Sequence, residues 1–259
     1  MEYKSFIEDL ATETGELASS LQGDLKINFK APKDMVTNAD LQCNELITEK
    51  ILKHFPDHNI LTEEADLINK NSDYTWYVDP IDGTNNYARG MDEWCVSIGL
   101  VKDKTPIAGG IIVPTLNRFY YAEQDKGAYL NNERIFVSKR DSLDKFLITF
   151  MTISEGSLRK YQNDKKYGQI ILDSANNFEK VRILGSACYD IALLASGVSD
   201  VYYNRSASLW DVVAGAVILK EAGAVITDYE NNPWTIDSDN FLASNNKCHN
   251  EVIQILFND

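Results

Sequence analysis

The chain has 259 residues, 44% of them apolar, and its 39 acidic and 25 basic residues give a formal net charge of −14. This length fits one large domain or two halves in close contact, and the apolar content supports a hydrophobic core. A negative field of this size repels nucleic-acid phosphates, so we expect no nucleic-acid partner. No stretch approaches the roughly 20 apolar residues of a membrane span, and the first residues do not resemble a signal peptide. We therefore expect a cytoplasmic protein without a membrane partner.

Cysteine and histidine usage does not favour a zinc site. None of the four cysteines forms a C-x-x-C pair, and in a reducing compartment we expect them to be buried as small apolar residues. The chain also has three histidines, for which we expect surface or loop positions rather than metal coordination: His54, His58 and His249.

The first sixty residues alternate between helix and short extended segments. The predicted elements are, in order, a helix over 2–22, a loop or hairpin over 24–34, a second helix over 37–54 and a short strand over 59–61. Thr37 and Asp40 at the start of the second helix resemble a capping box. Glu63 and Glu64 follow the short strand, where two adjacent acids usually form a solvated turn.

The stretch Tyr74-Thr-Trp-Tyr-Val-Asp-Pro-Ile-Asp-Gly-Thr84 is the most informative part of the chain. Its aromatic and β-branched residues predict a buried strand over 74–78. Pro80 cannot extend a hydrogen-bonded ladder, so the strand is expected to end there, and Gly83 permits a sharp turn. Asp79 and Asp82 are therefore expected to lie close together in one tight turn.

Two interpretations of this turn stay open on the residues alone. Thr84 is expected to start a helix, whose free N–H groups attract an anion, and two acids facing an anion need a cation between them. Mg²⁺ accepts carboxylates, a backbone carbonyl and phosphate oxygens at one centre. The alternative is structural: Asp82 caps the following helix, and Asp79 bonds the turn backbone.

The remainder of the chain predicts two different arrangements of strands. Strand-like runs over 94–101, 107–113, 119–123 and 127–132 predict an antiparallel meander. From about residue 144, strands over 146–150, 181–184, 201–203, 224–227 and 241–244 alternate with helices over 157–167, 188–196, 208–221 and 247–256. We therefore predict an N-terminal half over 1–143 and a C-terminal half over 144–259.

Three segments together resemble the inositol monophosphatase family of Mg²⁺-dependent, lithium-sensitive phosphatases. They are Leu61-Thr-Glu-Glu64, Trp76-Tyr-Val-Asp-Pro-Ile-Asp-Gly-Thr-Asn-Asn-Tyr87, and Leu209-Trp-Asp-Val-Val-Ala-Gly215 with Glu221-Ala-Gly223. The resemblance extends over nearly the whole chain. It implies an α+β fold, the layered αβαβα sandwich of the inositol monophosphatase and fructose bisphosphatase type. It also implies a homodimer with a metal site between the two halves of each chain.

The resemblance also implies the roles of individual residues. Two to three Mg²⁺ ions are expected on Glu63, Asp79, the carbonyl of Ile81, Asp82 and Asp211. Catalytic roles at the attacking water are expected for Glu63, Thr84 and Asp40. Substrate contacts are expected from Gly83, Thr84, Gly185, Ser186, Ala187, Asn204 and Asp211. Further candidates near the site are Lys30, Glu64 and Arg205.

The implied function is Mg²⁺-dependent hydrolysis of a small phosphorylated metabolite, above all inositol 1-phosphate, by metal-activated water. Asn204 stands where inositol-phosphate enzymes of the family usually carry Glu, and Asn lacks the charged acceptor. NADP, fructose 1,6-bisphosphate and nucleotide 3′-phosphates are therefore alternative substrates. A second phosphate could meet Arg205 or a basic cluster of Arg159, Lys160, Lys165 and Lys166. A non-catalytic regulatory scaffold is the alternative from another class, although the complete acidic set favours catalysis.

Overall fold

A computed structural model describes residues 3–31, 34–151, 166–206 and 208–257. The helix predicted over 157–167, with its basic cluster, lies outside these ranges except for its last two residues. Among the described helices, none is long and apolar enough to cross a bilayer.

The described helices and strands agree with most of the predicted elements. The helices are α1 Tyr3–Leu21, α2 Asn38–His54, α3 Thr84–Ala88, α4 Lys166–Asn177, α5 Ala187–Ala195, α6 Leu209–Ala222 and α7 His249–Phe257. The strands of the first half are β1 Ile27–Ala31, β2 Asp34–Thr37, β3 Asn59–Thr62, β4 Tyr74–Asp82, β5 Cys95–Lys102, β6 Thr105–Val113, β7 Arg118–Glu123, β8 Gly127–Leu130 and β9 Glu133–Arg134. Those of the second half are β10 Leu147–Phe150, β11 Lys180–Arg182, β12 Val201–Asn204, β13 Val225–Thr227 and β14 Phe241–Ser244.

These strands form three sheets in the described part of the chain. The largest has seven strands in the order β3-β4-β5-β6-β7-β8-β9. Its β3 runs parallel to β4, and the following pairs are antiparallel, so the predicted meander is confirmed. The second sheet has five strands in the order β11-β10-β12-β14-β13. Strands β1 and β2 form a separate antiparallel hairpin.

Helices and sheets stack in alternating layers. Helices α1 and α2 pack on one face of the seven-stranded sheet. Helices α5 and α6 lie between the two larger sheets, and α4 and α7 cover the far face of the five-stranded sheet. The predicted αβαβα sandwich is thereby confirmed. The two larger sheets fall on either side of residue 143 in the sequence, while the proposed division into two halves stays a prediction.

Helix α6 lies unusually close to the seven-stranded sheet. A Cβ atom at Gly99 of β5 would lie 2.8 Å from the backbone nitrogen of Ala214, and one at Gly109 of β6 would lie 2.5 Å from its carbonyl oxygen. Side chains at these two positions would push the helix away. The Ser97 hydroxyl also donates a hydrogen bond to the carbonyl of Trp210 at 3.3 Å. The first turn of α6 is therefore fixed beside the ends of β4 and β5.

Strand β4 extends further than the sequence predicts. We expected it to end at Pro80, but it continues to Asp82, with an irregularity in its pairing with β5. Asp79 pairs with Ser97 and Asp82 with Cys95, so two residues on β4 oppose one on β5. This bulge accommodates Pro80, which has no N–H to donate to a neighbouring strand. The prediction of an early strand end was wrong for this reason.

The histidine prediction was wrong for His249. This side chain is only 7% exposed, and its ring nitrogens lie 3.0 Å from the Thr227 hydroxyl and 2.7 Å from the Ser244 hydroxyl. Burial lowers the pKa of His249 to about 4. The prediction that the cysteines are buried is confirmed, since all four are free thiols inside the protein.

The buried His249 predicts an acid-dependent loss of stability. Between its usual pKa of 6.5 and its folded pKa of about 4, the unfolded chain binds a proton here that the folded protein does not. The free energy of unfolding should therefore fall by up to about 1.4 kcal/mol per pH unit as the pH drops through this window. Urea unfolding at pH 7 and pH 5 should show a smaller pH dependence in His249→Gln than in the wild type.

A matched control uses His54, which is exposed at the end of α2. His54→Gln should keep the wild-type pH dependence. An unchanged pH dependence in His249→Gln would contradict the assignment of this acid sensitivity to the buried imidazole.

Candidate active site

The first site residues lie where β3 and β4 end at the same edge of the seven-stranded sheet. The two strands are parallel, with Thr62 opposite Val78. The chain leaving β3 stays beside β4, because the Glu63 N–H donates a hydrogen bond to the Val78 carbonyl at 3.1 Å. This arrangement places Glu63 next to Asp79, as the sequence motifs predict.

Three carboxylates converge at this edge. One oxygen from each of Asp79, Asp82 and Asp211 lies within 4.8 Å of the other two. Asp79 is 2% exposed and Asp82 is 5% exposed, and both lie on β4. Asp211 comes from the first turn of α6. The structure therefore brings together predicted metal ligands that are more than a hundred residues apart in sequence.

The carboxylates lie in an environment that opposes their charge. Burial raises the pKa of Asp79 well above its usual range, and the nearby Glu63, Asp82 and Asp211 raise it further. Burial raises the pKa of Asp211 as well, and Asp82 and Glu63 raise it further. Buried like charges are stabilised when a cation lies between them. A donor set of carboxylates with the Ile81 carbonyl nearby consists of hard oxygen ligands, and this composition fits Mg²⁺.

Asp82 is held by the N-terminus of α5. Its carboxylate accepts hydrogen bonds from the backbone N–H groups of Ala187 at 3.2 Å and Cys188 at 2.7 Å, and from the Ser186 hydroxyl. These bonds lower the pKa of Asp82, but burial has the larger effect and raises it. The predicted substrate contacts Ser186 and Ala187 are thus bonded to Asp82, and their role toward a substrate stays a prediction.

Gly83 has the backbone conformation that the sharp turn requires. Its φ of 91° and ψ of 36° place it in the left-handed region just before α3. A Cβ atom there would lie 3.0 Å from the Glu93 carbonyl oxygen and 3.0 Å from the Ser186 Cβ atom. Glycine is therefore required at this position both by its backbone angles and by the space around it.

Sequence reasoning missed Asn86, which links two parts of the site. Its side-chain amide donates hydrogen bonds to the carbonyls of Glu93 and Leu184, both at 2.7 Å. A Cβ atom at Gly185 would lie 3.0 Å from the Asn86 Oδ1 atom. Asn86 therefore fixes the turn before α5 against α3. A buried amide within the central motif was the available signal, but its partners lie too far along the chain to be inferred.

Asp40 and Thr84 form a hydrogen-bonded pair. Asp40 is 1% exposed, and its Oδ2 atom accepts hydrogen bonds from the Thr37 N–H at 2.8 Å and hydroxyl at 2.6 Å. The predicted capping box is thus confirmed. The Thr84 hydroxyl lies 3.2 Å from Asp40 Oδ1 and 3.1 Å from the Ile81 carbonyl. Because a hydroxyl carries one proton, Thr84 donates to only one of them at a time.

Lys30 reaches the site from the β1–β2 hairpin. Its ammonium lies 2.9 Å from a Glu63 oxygen and 2.7 Å from a Glu64 oxygen. Burial alone would lower the pKa of Lys30, but the two glutamates outweigh it and raise this pKa above its usual value. Burial also raises the pKa of Glu64 to about 7. The structure therefore brings these three predicted candidates together.

Asn204 lies at the end of β12 with both ends of its amide bonded inside the protein. It is 1% exposed, its Nδ2 atom donates to the Tyr202 hydroxyl at 3.1 Å, and its Oδ1 atom accepts from the Ser206 N–H at 3.1 Å. Arg205 follows, half-buried, and interacts electrostatically with Tyr167. A substrate contact for Asn204 or Arg205 stays a prediction.

Comparisons with known proteins identify the family. The inositol monophosphatase family profile matches residues 2–258, so the chain belongs to this family. It is 35% identical to a fructose-1,6-bisphosphatase/inositol-1-monophosphatase of Thermotoga maritima, over 86% of this chain and 83% of that protein. It is 33% identical to the Nus factor SuhB of Pasteurella multocida, over 89% and 85% of the two chains.

Solved structures agree with this assignment. The SuhB protein of Bartonella henselae superposes with a TM-score of 0.92 at 26% identity, over 99% of this chain and 98% of that one. The Thermotoga maritima IMPase gives a TM-score of 0.90 at 31% identity, over 99% and 97%. The chain is accordingly a phosphatase, that is, a phosphoric monoester hydrolase acting on small phosphorylated substrates.

The turn at Gly83 gives a stability prediction with a matched control. Gly90 also has a positive φ, of 71°, but a Cβ atom added there would meet no other atom within 4 Å. Gly90→Ala should therefore lower the free energy of unfolding by only about 1 kcal/mol. Gly83→Ala should lower it by about 2 to 4 kcal/mol, because it adds steric overlap to the same backbone cost. Urea unfolding measures both, and equal losses would contradict this account of the turn.

Proposed function

We propose that this protein hydrolyses a small phosphate monoester in a Mg²⁺-dependent reaction, with inositol 1-phosphate as the first candidate substrate. The observation that supports this most is the group of Asp79, Asp82 and Asp211, whose oxygens lie within 4.8 Å of one another. Their proximity in a buried site is destabilising without a cation. The chain belongs to the inositol monophosphatase family, and a bound cation would serve the phosphatase reaction.

The proposed ligand sets use the acids on both sides of the site. Glu63, Asp79 and the Ile81 carbonyl would hold a first Mg²⁺, and Asp79, Asp82 and Asp211 a second. A third, weaker ion would lie near Glu63. When bound, the ions would polarise the phosphate ester, lower the pKa of water and neutralise developing charge.

Lys30 acts as a competing cation at the same place. Its ammonium bonds to Glu63 at 2.9 Å, so occupancy of the first metal position requires Glu63 to be shared with, or released from, Lys30. Glu64 is the second partner of this ammonium, at 2.7 Å. We propose that Glu64 retains Lys30 near the site when Glu63 turns to the metal.

We propose that Thr84 and Asp40 accept the proton of the attacking water. If the Ile81 carbonyl serves as a metal ligand, the single Thr84 proton is directed to Asp40, which lies 3.2 Å away. The lone pairs of the Thr84 hydroxyl are then available to the water. Burial raises the pKa of Asp40, although hydrogen bonds from Thr37 and Thr84 lower it in part. A carboxylate with a raised pKa is a better proton acceptor.

The substrate contacts are proposed from the family resemblance. The backbone N–H groups of Gly83 and Thr84 are proposed to bind the phosphate. The organic part of the substrate is proposed to meet Gly185, Ser186, Ala187, Asn204 and Asp211. The Thermotoga maritima relative carries both activities in its name, so fructose 1,6-bisphosphate stays an alternative, as do NADP and nucleotide 3′-phosphates. Lithium sensitivity and a homodimer are proposed from the family resemblance alone, and the cytoplasmic location stays the expectation drawn from the sequence.

The test is the release of inorganic phosphate with and without Mg²⁺. The substrates would be inositol 1-phosphate, fructose 1,6-bisphosphate, NADP and adenosine 3′,5′-bisphosphate. We expect Mg²⁺-dependent release, with the highest kcat/KM for inositol 1-phosphate. A higher kcat/KM on another ester would replace the substrate. No release on any of them, from folded protein that binds Mg²⁺, would favour a different phosphate ester as the substrate first and a scaffold role second.

Asp211→Asn separates a catalytic defect from a folding defect. It should lower kcat/KM by about a thousandfold or more, because it removes a ligand of the second metal position. Without Mg²⁺ its unfolding free energy should equal or exceed that of the wild type, because the substitution removes a repelling charge. Added Mg²⁺ should stabilise the wild type more than this variant. The control is Asp237→Asn, at an exposed ion pair with Lys104, which should behave as the wild type in every assay.

The role of Thr84 is tested by keeping or removing its hydroxyl. Thr84→Val should lower kcat by about a hundredfold with little change in KM, while Thr84→Ser should retain most of the activity. The pH dependence of kcat should also shift in Thr84→Val, because the path to Asp40 is broken. Similar losses in the Val and Ser variants would assign Thr84 a packing role instead.

A further inference from the structure

Two thiols lie directly beside Asp82. Strand β5 begins with Cys95, whose Sγ atom is 3.5 Å from Asp82 Oδ2. Helix α5 contributes Cys188 in its first turn. An oxygen of Asp82 and the two sulfur atoms all lie within 4.8 Å of one another. Both cysteines are 0% exposed and are free thiols.

The chemistry of this group differs from that of the neighbouring acids. Mg²⁺ prefers oxygen ligands, whereas Zn²⁺ and Cd²⁺ bind thiolates strongly. Two sulfur ligands on a tetrahedral zinc are separated by about 3.8 Å, from a zinc–sulfur distance of about 2.3 Å. The observed spacing is thus within a small side-chain adjustment of a metal tripod. A tetrahedral cation held by these three residues would need one further ligand.

We propose that Asp82, Cys95 and Cys188 form a separate site for a thiophilic divalent cation, Zn²⁺ or Cd²⁺, that shares Asp82 with the Mg²⁺ site. The binding itself does not depend on the proposed function. The competition with Mg²⁺ does rest on it, because it requires Asp82 to be a Mg²⁺ ligand.

Metal binding at this site would require both thiols to lose their protons. The Cys188 thiol lies 3.0 Å from the Asp211 carbonyl oxygen, to which it donates a hydrogen bond. A thiophilic cation would take each sulfur as thiolate, and the two protons would pass to solvent.

Binding there would act on the site through one shared carboxylate. Asp82 is already fixed by the N–H groups of Ala187 and Cys188, so it has little freedom to serve two cations at once. A cation held by the thiols would therefore compete with Mg²⁺ for this one fixed carboxylate. The expected outcome is inhibition of the Mg²⁺-dependent reaction by low concentrations of a thiophilic ion.

The test is a Cd²⁺ titration of the full chain, read by the ultraviolet absorption of the thiolate-to-cadmium charge transfer. We expect one Cd²⁺ per chain in the wild type. Cys95→Ser and Cys188→Ser, which preserve side-chain size, should each weaken binding at least tenfold, and the double variant should lose the absorption. Urea unfolding confirms that each variant is folded.

The other two cysteines provide the matched control. Cys43 and Cys248 are also buried and free, but neither belongs to a group of potential metal ligands among the described residues. The Cys43→Ser/Cys248→Ser variant should retain the wild-type absorption and affinity. Absorption that is absent from the wild type, or that persists without Cys95 and Cys188, would overturn the site.

A second titration tests the shared carboxylate. The apparent Kd for Cd²⁺ should rise as Mg²⁺ is added, and Cd²⁺ should inhibit phosphate release from the wild type at least tenfold more strongly than from the Cys95→Ser/Cys188→Ser variant. A Kd that is independent of Mg²⁺ would overturn the sharing of Asp82. Because the absorption is read without turnover, a protein that binds Cd²⁺ through both thiols but releases no phosphate would count against the proposed function alone.

Discussion

The mutual repulsion of Asp79, Asp82 and Asp211 is the constraint on which the rest of this structure depends. Each carboxylate is far more stable in water than beside two others in a buried site. The chain nevertheless fixes them within 4.8 Å of one another. It does so with contacts that keep the backbone from relaxing: the bulge in β4, the N-terminus of α5 against Asp82, and the close approach of α6 to the sheet.

The three carboxylates lower the stability of the folded protein at the place where the metal ions are proposed to bind. The donors around Asp82 offset part of the cost, since backbone N–H groups at a helix N-terminus stabilise a negative charge. Lys30 offsets another part by bonding to Glu63 and Glu64. For Asp211, burial and the neighbouring Asp82 and Glu63 raise the pKa, and a backbone hydrogen bond from Ser208 and the charge of Lys30 offset this only in part. A bound cation would remove the repulsion between the carboxylates that these contacts leave uncompensated. Metal affinity and the instability of the site without metal therefore have the same physical origin.

The sequence predicted the local features of this fold well because they depend on neighbouring residues. Strand and helix periods, the Thr37 capping box and the turn at Gly83 all arise within a few positions. The sequence motifs also predicted that Glu63, Asp79 and Asp82 lie close together. The family resemblance, rather than spacing, supplied the link between β4 and Asp211, since nothing local relates a strand to a helix more than a hundred residues away.

The features that sequence reasoning missed depend on contacts between distant segments. Pro80 signalled a strand end, but a bulge against β5 overrode it. We expected His249 at the surface, but its ring is buried because the hydroxyl groups of Thr227 on β13 and Ser244 on β14 form hydrogen bonds with its nitrogens. Cys95 and Cys188 read as ordinary buried thiols, and only the packing of α5 on β5 places both beside Asp82. Tertiary packing decides the environment of such residues, whereas their identity alone does not.

Substrate choice also depends on contacts that residue identity alone does not reveal. The acids that would hold Mg²⁺ are set by the sandwich, whereas specificity depends on residues at its edge. The proposed substrate contact Asn204 stands where the family resemblance implies a glutamate, and its amide already bonds to Tyr202 and Ser206. A sugar hydroxyl would have to share or displace one of these bonds, at a net cost on the order of 1 kcal/mol. Hydroxyl recognition at this edge should therefore be weaker than with a free carboxylate, and phosphate binding beside the acids correspondingly more important for affinity.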